Sequence, residues 1–272
     1  MGLLLALVIW LIAIITVGLF AFSPPKWWFP PAISEHGAAV DRQFALTFVV
    51  VGLSFFLAQA VLGWAVWRYR ARGRERATYS HGNTRLELIW TGITAVIFIL
   101  LAFMGQRVWA QLHLNEAPPG SVPIEVTGQQ FVWNFRYAGA DGKFGRNDPT
   151  LYNDEDNSPT ARPGPVGIDP QDPAGKDDLV SVGLMVIPVN RPVSVTLRAK
   201  DVTHSFFVPV LRFKQDAVPG MKIGMHFTAI KEGRYEIVCA EVCGLGHHRM
   251  RAFLEVKSQA DYDKWLAEKA AQ

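Results

Sequence analysis

The sequence predicts a helical membrane anchor followed by an all-β sandwich, and three observations carry that prediction. Long apolar stretches crowd the first part of the chain, arginines cluster between the second and third of them, and short β-type segments separated by Gly, Pro and Asp turns follow from Pro118 onward. Of the 272 residues, 50% are hydrophobic and 19% charged, which excludes both a disordered chain and a fully polytopic one. The net charge of +3 is an average over two unlike halves. Residues before Gln111 are strongly basic, whereas the remainder is slightly acidic. No basic surface of the nucleic-acid-binding kind follows.

The first stretch, Leu3 to Phe22, holds 20 uncharged residues, enough to cross a hydrocarbon core as a helix. It reads as a retained transmembrane helix or as a secretory signal; the lack of a Lys or Arg before it and of an A-x-A-like site after it favours retention. Phe44 to Trp67 is also free of charge, and Leu86 to Met104 carries only Glu87, one residue from its start. The intervening RYRARGRERATYSHGNTR, with six arginines and one glutamate, belongs on the cytoplasmic side by the positive-inside rule. Lys26-Trp27-Trp28-Phe29 suits an external interfacial belt, so everything after about Trp109 is expected outside. Glu87 reads as an interfacial carboxylate in water or paired with Arg85, or as an entrance for protons.

The expected strands are Ile124–Val126, Gln130–Tyr137, Val180–Pro188, Val193–Ala199, His204–Val210, Lys222–Ala229, Gly233–Cys239 and Arg251–Val256. Their spacing points to an antiparallel sandwich or Greek-key barrel. Residues 138–178, rich in Gly, Pro and acids, are expected to form a long surface excursion, with Asp154-Glu155-Asp156 as a solvated loop. A short amphipathic helix closes the chain over 259–272.

Both cysteines lie in CAEVCGLGHHRM, Cys239 to Met250, which also offers two imidazoles, a thioether and a carboxylate. Two cysteines are too few for a disulfide-built scaffold. Thiolate, imidazole and thioether form a soft donor set that favours copper. Zinc competes, and so does a disulfide between the two cysteines. Two thiolates exceed the single cysteine of a mononuclear blue-copper centre and could bridge two copper ions. A further imidazole is then needed, and His204, heading the strand in DVTHSFFVP, is the candidate.

The motif C-x-E-x-C-G-x-x-H-x-x-M, the upstream D-V-x-H-S, and Leu211, Lys214, Asp216, Ala217, Pro219 and Gly220 in L-x-x-K-x-D-A-x-P-G together resemble subunit II of haem–copper cytochrome c oxidase. HGNTRLELIWT resembles the start of that family's second core helix, and the likeness covers most of residues 42–269. It implies a cupredoxin-like Greek-key domain over 118–258 behind a transmembrane hairpin (43–110); the N-terminal helix (1–22) and the acidic insertion 138–178 lie outside the likeness. It also implies a dinuclear copper centre, CuA. Cys239 and Cys243 would bridge the coppers, His204 and His247 would each bind one, Met250 would be the weak ligand, and Glu241 would offer its backbone carbonyl. The Glu241 carboxylate would face a magnesium ion shared with subunit I, and Glu87 would mark a proton path. The family usually has, where this chain has Phe131, an exposed Trp associated with electron entry from cytochrome c; Trp133 and Tyr137 remain nearby, with Trp133 as the candidate for electron entry.

The implied partners are subunit I, other oxidase subunits, membrane lipid and a cytochrome c-type donor, free or within a supercomplex. Haem would reside only in the partner subunit, since the chain has no C-x-x-C-H. The implied location is a bacterial inner membrane with the C-terminal domain in the periplasm. The competing readings are the CuA subunit of a nitric oxide reductase and a membrane-tethered copper-binding or copper-delivery protein.

Overall fold

The computed structural model describes all residues except 25–26, 74–75, 77–78, 80 and 157. Part of the arginine-rich loop and Lys26 of the aromatic cluster therefore lie outside the described residues. The chain forms two compact units, Met1–Trp28 with Ala39–Arg107, and Phe29–Ala38 with Val108–Gln272.

The first unit is built from α1 (Gly2–Phe22), α2 (Gly37–Arg68) and α3 (Thr84–His113), each long and apolar enough to cross a membrane. A helix satisfies its own backbone groups, which is what a hydrocarbon environment demands. At 1.5 Å per residue, the 32 residues of α2 and 30 of α3 exceed a core of about 30 Å. Both therefore outrun their apolar stretches, taking in Asp41 and Arg42 at one end and Gln106 to His113 at the other. Small Ala6 and Ala13 are the buried residues of α1, and Trp10 Nε1 donates to the Ala60 carbonyl at 3.2 Å. Gln43 Nε2 likewise donates to the Leu101 carbonyl at 3.2 Å. Leu4, Ile14, Leu57, Phe98 and Ile99 point outward, as lipid-facing side chains do. Asn83 caps α3, its side-chain oxygen accepting from the Arg85 and Leu86 amides.

The second unit is a sandwich of two five-stranded sheets. In chain order the strands are β1 (Val122–Gln129), β2 (Val132–Tyr137), β3 (Leu179–Val182), β4 (Leu184–Pro188), β5 (Pro192–Ala199), β6 (His204–Val208), β7 (Phe213–Ala217), β8 (Ile223–Thr228), β9 (Gly233–Cys239) and β10 (Arg251–Lys257). One sheet runs β3-β2-β1-β5-β8 and the other β4-β10-β9-β6-β7. Strict alternation along β5 buries Val193, Val195, Leu197 and Ala199. Trp133, Phe135, Phe206, Phe213, Phe227, Ile237 and Leu254 fill the space between the sheets. Helix α4 (Gln259–Ala270) starts at Ser258, whose hydroxyl accepts from the Asp261 amide, and Tyr262 is buried.

Several details depart from the sequence expectation. The sandwich is mixed, because β1 pairs parallel with β5 and β4 parallel with β10; each pair is separated by a long crossover, which parallel pairing requires. The expected strand Val180–Pro188 is two strands in different sheets, divided at Gly183, whose φ of 72° lets the chain change direction. Strand β7 was not expected, since only its two ends, Phe213 and Ala217, are buried.

The segment 138–178 is a cover and not a loose excursion. Its acids act mainly as turn formers: Asp141, Asp148, Asp156, Asp169 and Asp172 accept from the amides of Lys143, Thr150, Ser158, Gln171 and Ala174. Asp154 pairs with Lys200. Beneath the cover, the outer face of the first sheet buries Glu125, Asn134 and Arg136. Arg136 bonds Glu125 at 2.8 Å, the Gly145 carbonyl at 2.5 Å and Asp178. Arg198 closes the network on the other Glu125 oxygen at 2.7 Å.

Candidate metal centre

At one end of the sandwich, His204 opens β6 and Cys239 closes β9, while the segment 240–250 loops back toward β10. Neighbouring β6 and β9 are paired at Phe206 and Cys239, so residues 35 positions apart meet by register. A short 3-10 turn, His247–Arg249, then returns Met250 to the site.

The donors gather closely. Cys239 Sγ lies 3.8 Å from Cys243 Sγ, 3.9 Å from His204 Nδ1 and 3.2 Å from the Glu241 carbonyl oxygen. Cys243 Sγ lies 3.6 Å from His247 Nδ1 and 3.7 Å from Met250 Sδ. Both cysteines are free, with their sulfurs well beyond the disulfide length of about 2.05 Å. His204, Cys239 and Cys243 are buried and their donor atoms lie within 4.8 Å of one another. His248 is exposed, whereas its neighbour His247 turns its ring toward Cys243.

The donors are close enough to share metal, and they outnumber what one tetrahedral ion would use. Sulfurs about 2.3 Å from a shared ion must lie less than about 4.6 Å apart, and these do. Of the remaining donors, His204 and the Glu241 carbonyl lie nearest Cys239, and His247 and Met250 lie nearest Cys243. A single tetrahedral zinc would leave part of this set unused. The soft donors suit copper.

Burial, together with the neighbouring Cys239 sulfur, pushes the Cys243 thiol up to about 11. Metal binding to the empty chain must displace that proton, so affinity rises with pH. Copper uptake by the apo chain should weaken about tenfold per unit of acidification for each thiol deprotonated, read by competition titration across pH 6–8. Uptake independent of pH would show that the thiol protons are not displaced.

A second layer surrounds the donors. Asp201 Oδ1 sits 2.8 Å from His204 Nε2, and its Oδ2 accepts the Gln130 amide at 2.7 Å. Burial opposes the Asp201 charge, yet its bonds to Gln130, His204 and Val202 hold the carboxyl below its ordinary range. Gln130 Nε2 donates to the Cys243 carbonyl at 2.6 Å. Sequence reasoning gave no role to either residue, although Asp201 heads the D-V-x-H-S motif.

The other expected site residues fall in different surroundings. Phe131 is 37% exposed and lies over the metal loop, with Gly244 and Gly246 against its ring. A Cβ at Gly246 would come within 2.3 Å of that ring. Trp133 is 0% exposed, edge-on to His204 at 5.9 Å and to Phe206 at 5.4 Å. Trp133 therefore presents no surface of its own to a docking partner and sits behind His204. The Glu241 side chain is exposed. Glu87 is exposed in the first turn of α3, where the helix dipole favours a carboxylate, and among the described residues it makes no ion pair with Arg85.

Fold and site together define a helix-anchored, cupredoxin-like domain with a soft-metal donor cluster. Residues 22–108 match the family described as cytochrome c oxidase subunit II, transmembrane domain, and residues 172–257 match its periplasmic domain. The alternative cytochrome c oxidase subunit 2 of Bradyrhizobium diazoefficiens is 35% identical, the match covering 96% of this chain and 90% of that one. A probable cytochrome c oxidase subunit 2 of Rickettsia felis is 32% identical, over 94% of this chain and 76% of the other. Among solved structures, the periplasmic domain of subunit II of cytochrome oxidase from Bradyrhizobium japonicum is similar at 26% identity, covering 57% of this chain and 98% of that one, with a TM-score of 0.41. The chain belongs to the cytochrome c oxidase subunit II family.

Proposed function

We propose that this chain is the electron-accepting subunit of a proton-pumping haem–copper terminal oxidase in a bacterial inner membrane. It takes electrons from a cytochrome c-type donor on the periplasmic side and passes them to haem in subunit I, where oxygen is reduced to water. The observation that carries this reading is the pair of buried sulfurs 3.8 Å apart, ringed by two imidazoles, a thioether and a backbone carbonyl, in a chain of this family.

His204, Cys239, Glu241 through its carbonyl, Cys243, His247 and Met250 would hold a dinuclear copper centre. Two copper ions so held supply one-electron transfer, with the charge change spread over both. The residues contribute rigidity: His204, Cys239, Cys243 and Met250 are buried, and two packed sheets fix the ends of β6 and β9. Fixed donors suit rapid electron transfer because little must move when the charge changes.

Phe131, at the surface over the metal loop, is the proposed point of electron input, with Trp133 as packing behind His204. The exposed Glu241 carboxylate would face magnesium at the boundary with subunit I. Glu87 would lead protons toward that subunit. The slightly acidic external half offers complementarity to a basic cytochrome.

The test is copper content and spin signal of the purified full-length chain, followed by oxygen uptake of the assembled complex with reduced cytochrome c. Two coppers per chain, a mixed-valence signal and oxygen consumption are expected. One copper with an ordinary blue-copper signal would sink the dinuclear site. Nitric oxide reduction without oxygen uptake would assign the chain to a reductase, and isolation without any haem subunit would favour copper delivery.

A further inference from the structure

We infer that Asp201 and Gln130 are positioning residues for the two-metal centre, forming one brace that holds His204 at one end and the Cys243 segment at the other. The inference rests on the copper reading above.

An imidazole offers two nitrogens, and the one bonded to a carboxylate keeps its proton while the other is left to bind metal. His204 is fully buried and its Nε2 lies 2.8 Å from Asp201 Oδ1, which leaves Nδ1 facing Cys239 Sγ at 3.9 Å. Asp201 is itself held in place, since Oδ1 accepts the Val202 amide at 2.7 Å and Oδ2 the Gln130 amide at 2.7 Å. The ring orientation is thus fixed two bonds away from the donor atom.

Gln130 carries the brace across the site. It lies in the two-residue tip between β1 and β2, where Gln129 pairs with Val132 and the tip residues have no ladder partner. Its amide is therefore available to Asp201, while its side chain reaches the Cys243 carbonyl at 2.6 Å, 113 positions away in sequence. The next residue, Phe131, lies against Gly244 and Gly246. A Cβ at Gly244 would come within 2.7 Å of Gln130 Nε2, so the metal loop approaches the tip closely because it lacks side chains there. One residue thus bonds both to the support of His204 and to the backbone of a bridging cysteine.

The full-length chain in detergent, loaded with copper, tests this with Asp201→Ala, Asp201→Asn and Gln130→Leu. The readouts are the rate of copper loss to a chelator, the copper hyperfine pattern, and the unfolding temperature of the apo chain. Outer-shell changes at metal sites typically cost 10–100-fold in affinity. Asp201→Ala and Gln130→Leu should therefore release copper about tenfold faster or more and alter the hyperfine pattern, with apo unfolding little changed. Asp201→Asn, which keeps an acceptor for Nε2–H, should recover much of the wild-type rate. Should Asp201→Ala fail to fold, Gln130→Leu and Asp201→Asn carry the same comparison. Wild-type release rates and spectra in all variants, or effects confined to apo unfolding, would overturn the brace while leaving the copper reading standing. Failure of the wild-type chain to hold two coppers would remove both.

Discussion

Cys243→Ser should abolish the two-copper centre and lower cytochrome c-driven oxygen uptake by more than about a hundredfold, since even outer-shell changes reach that range. Cys243 Sγ is close to Cys239, His247 and Met250 at once, so its loss removes the sulfur on which those donors converge. A serine hydroxyl is a hard donor that suits copper poorly in a soft site. The variant should retain at most one copper, counted by metal analysis, and lose the mixed-valence signal. If the two cysteines were merely a buried apolar pair, the substitution would cost a little stability and leave copper and turnover intact. Unchanged oxygen uptake would therefore refute the assignment of Cys243.

The membrane stretches were legible because twenty uncharged residues in a row have few other uses, and the metal cluster because six donor groups fall in twelve residues. What could not be read depended on contacts distant in sequence. Gln130 and Asp201 are 71 positions apart and acquire their joint role only when the β1–β2 tip meets the strand-opening segment before β6. Trp133 shows a different failure. Taking Gln130–Tyr137 as one strand puts residues 131, 133, 135 and 137 on one face, whereas the two-residue tip detaches Phe131 from that face and sends it to the surface. Asp154, Glu155 and Asp156 are exposed as a solvated loop should be, but the turn-capping role of Asp148 and Asp172 was not legible, because turn capping and surface charge leave the same trace in composition.

Arg136→Ala should destabilise the sandwich by about 3–5 kcal/mol, the range for removing one partner of a buried ion pair. Arg136 is 1% exposed on β2, and its guanidinium serves Glu125, Asp178 and the Gly145 carbonyl. Removing Arg136 takes the directly bonded cation from both Glu125 and Asp178, leaving Arg198 on Glu125 and only the more distant Arg162 charge for Asp178. The Asp178 carboxylate would keep the Gly145 amide as its hydrogen-bond donor and lose its ion-pair partner. The damage should concentrate where residues 138–178 lie on the first sheet, because Gly145 and Asp178 come from the two ends of that cover. Denaturant unfolding of the full-length chain should show the loss in midpoint, and hydrogen exchange should show early deprotection of residues 138–178. Because the metal donors hang from β6, β9 and the loop after it, copper content in the native variant should stay at the wild-type value. Arg136→Lys, one charge without the forked geometry, should recover only part of the stability. A loss below about 1 kcal/mol for Arg136→Ala would mean that water reaches the network and screens it as it screens a surface pair.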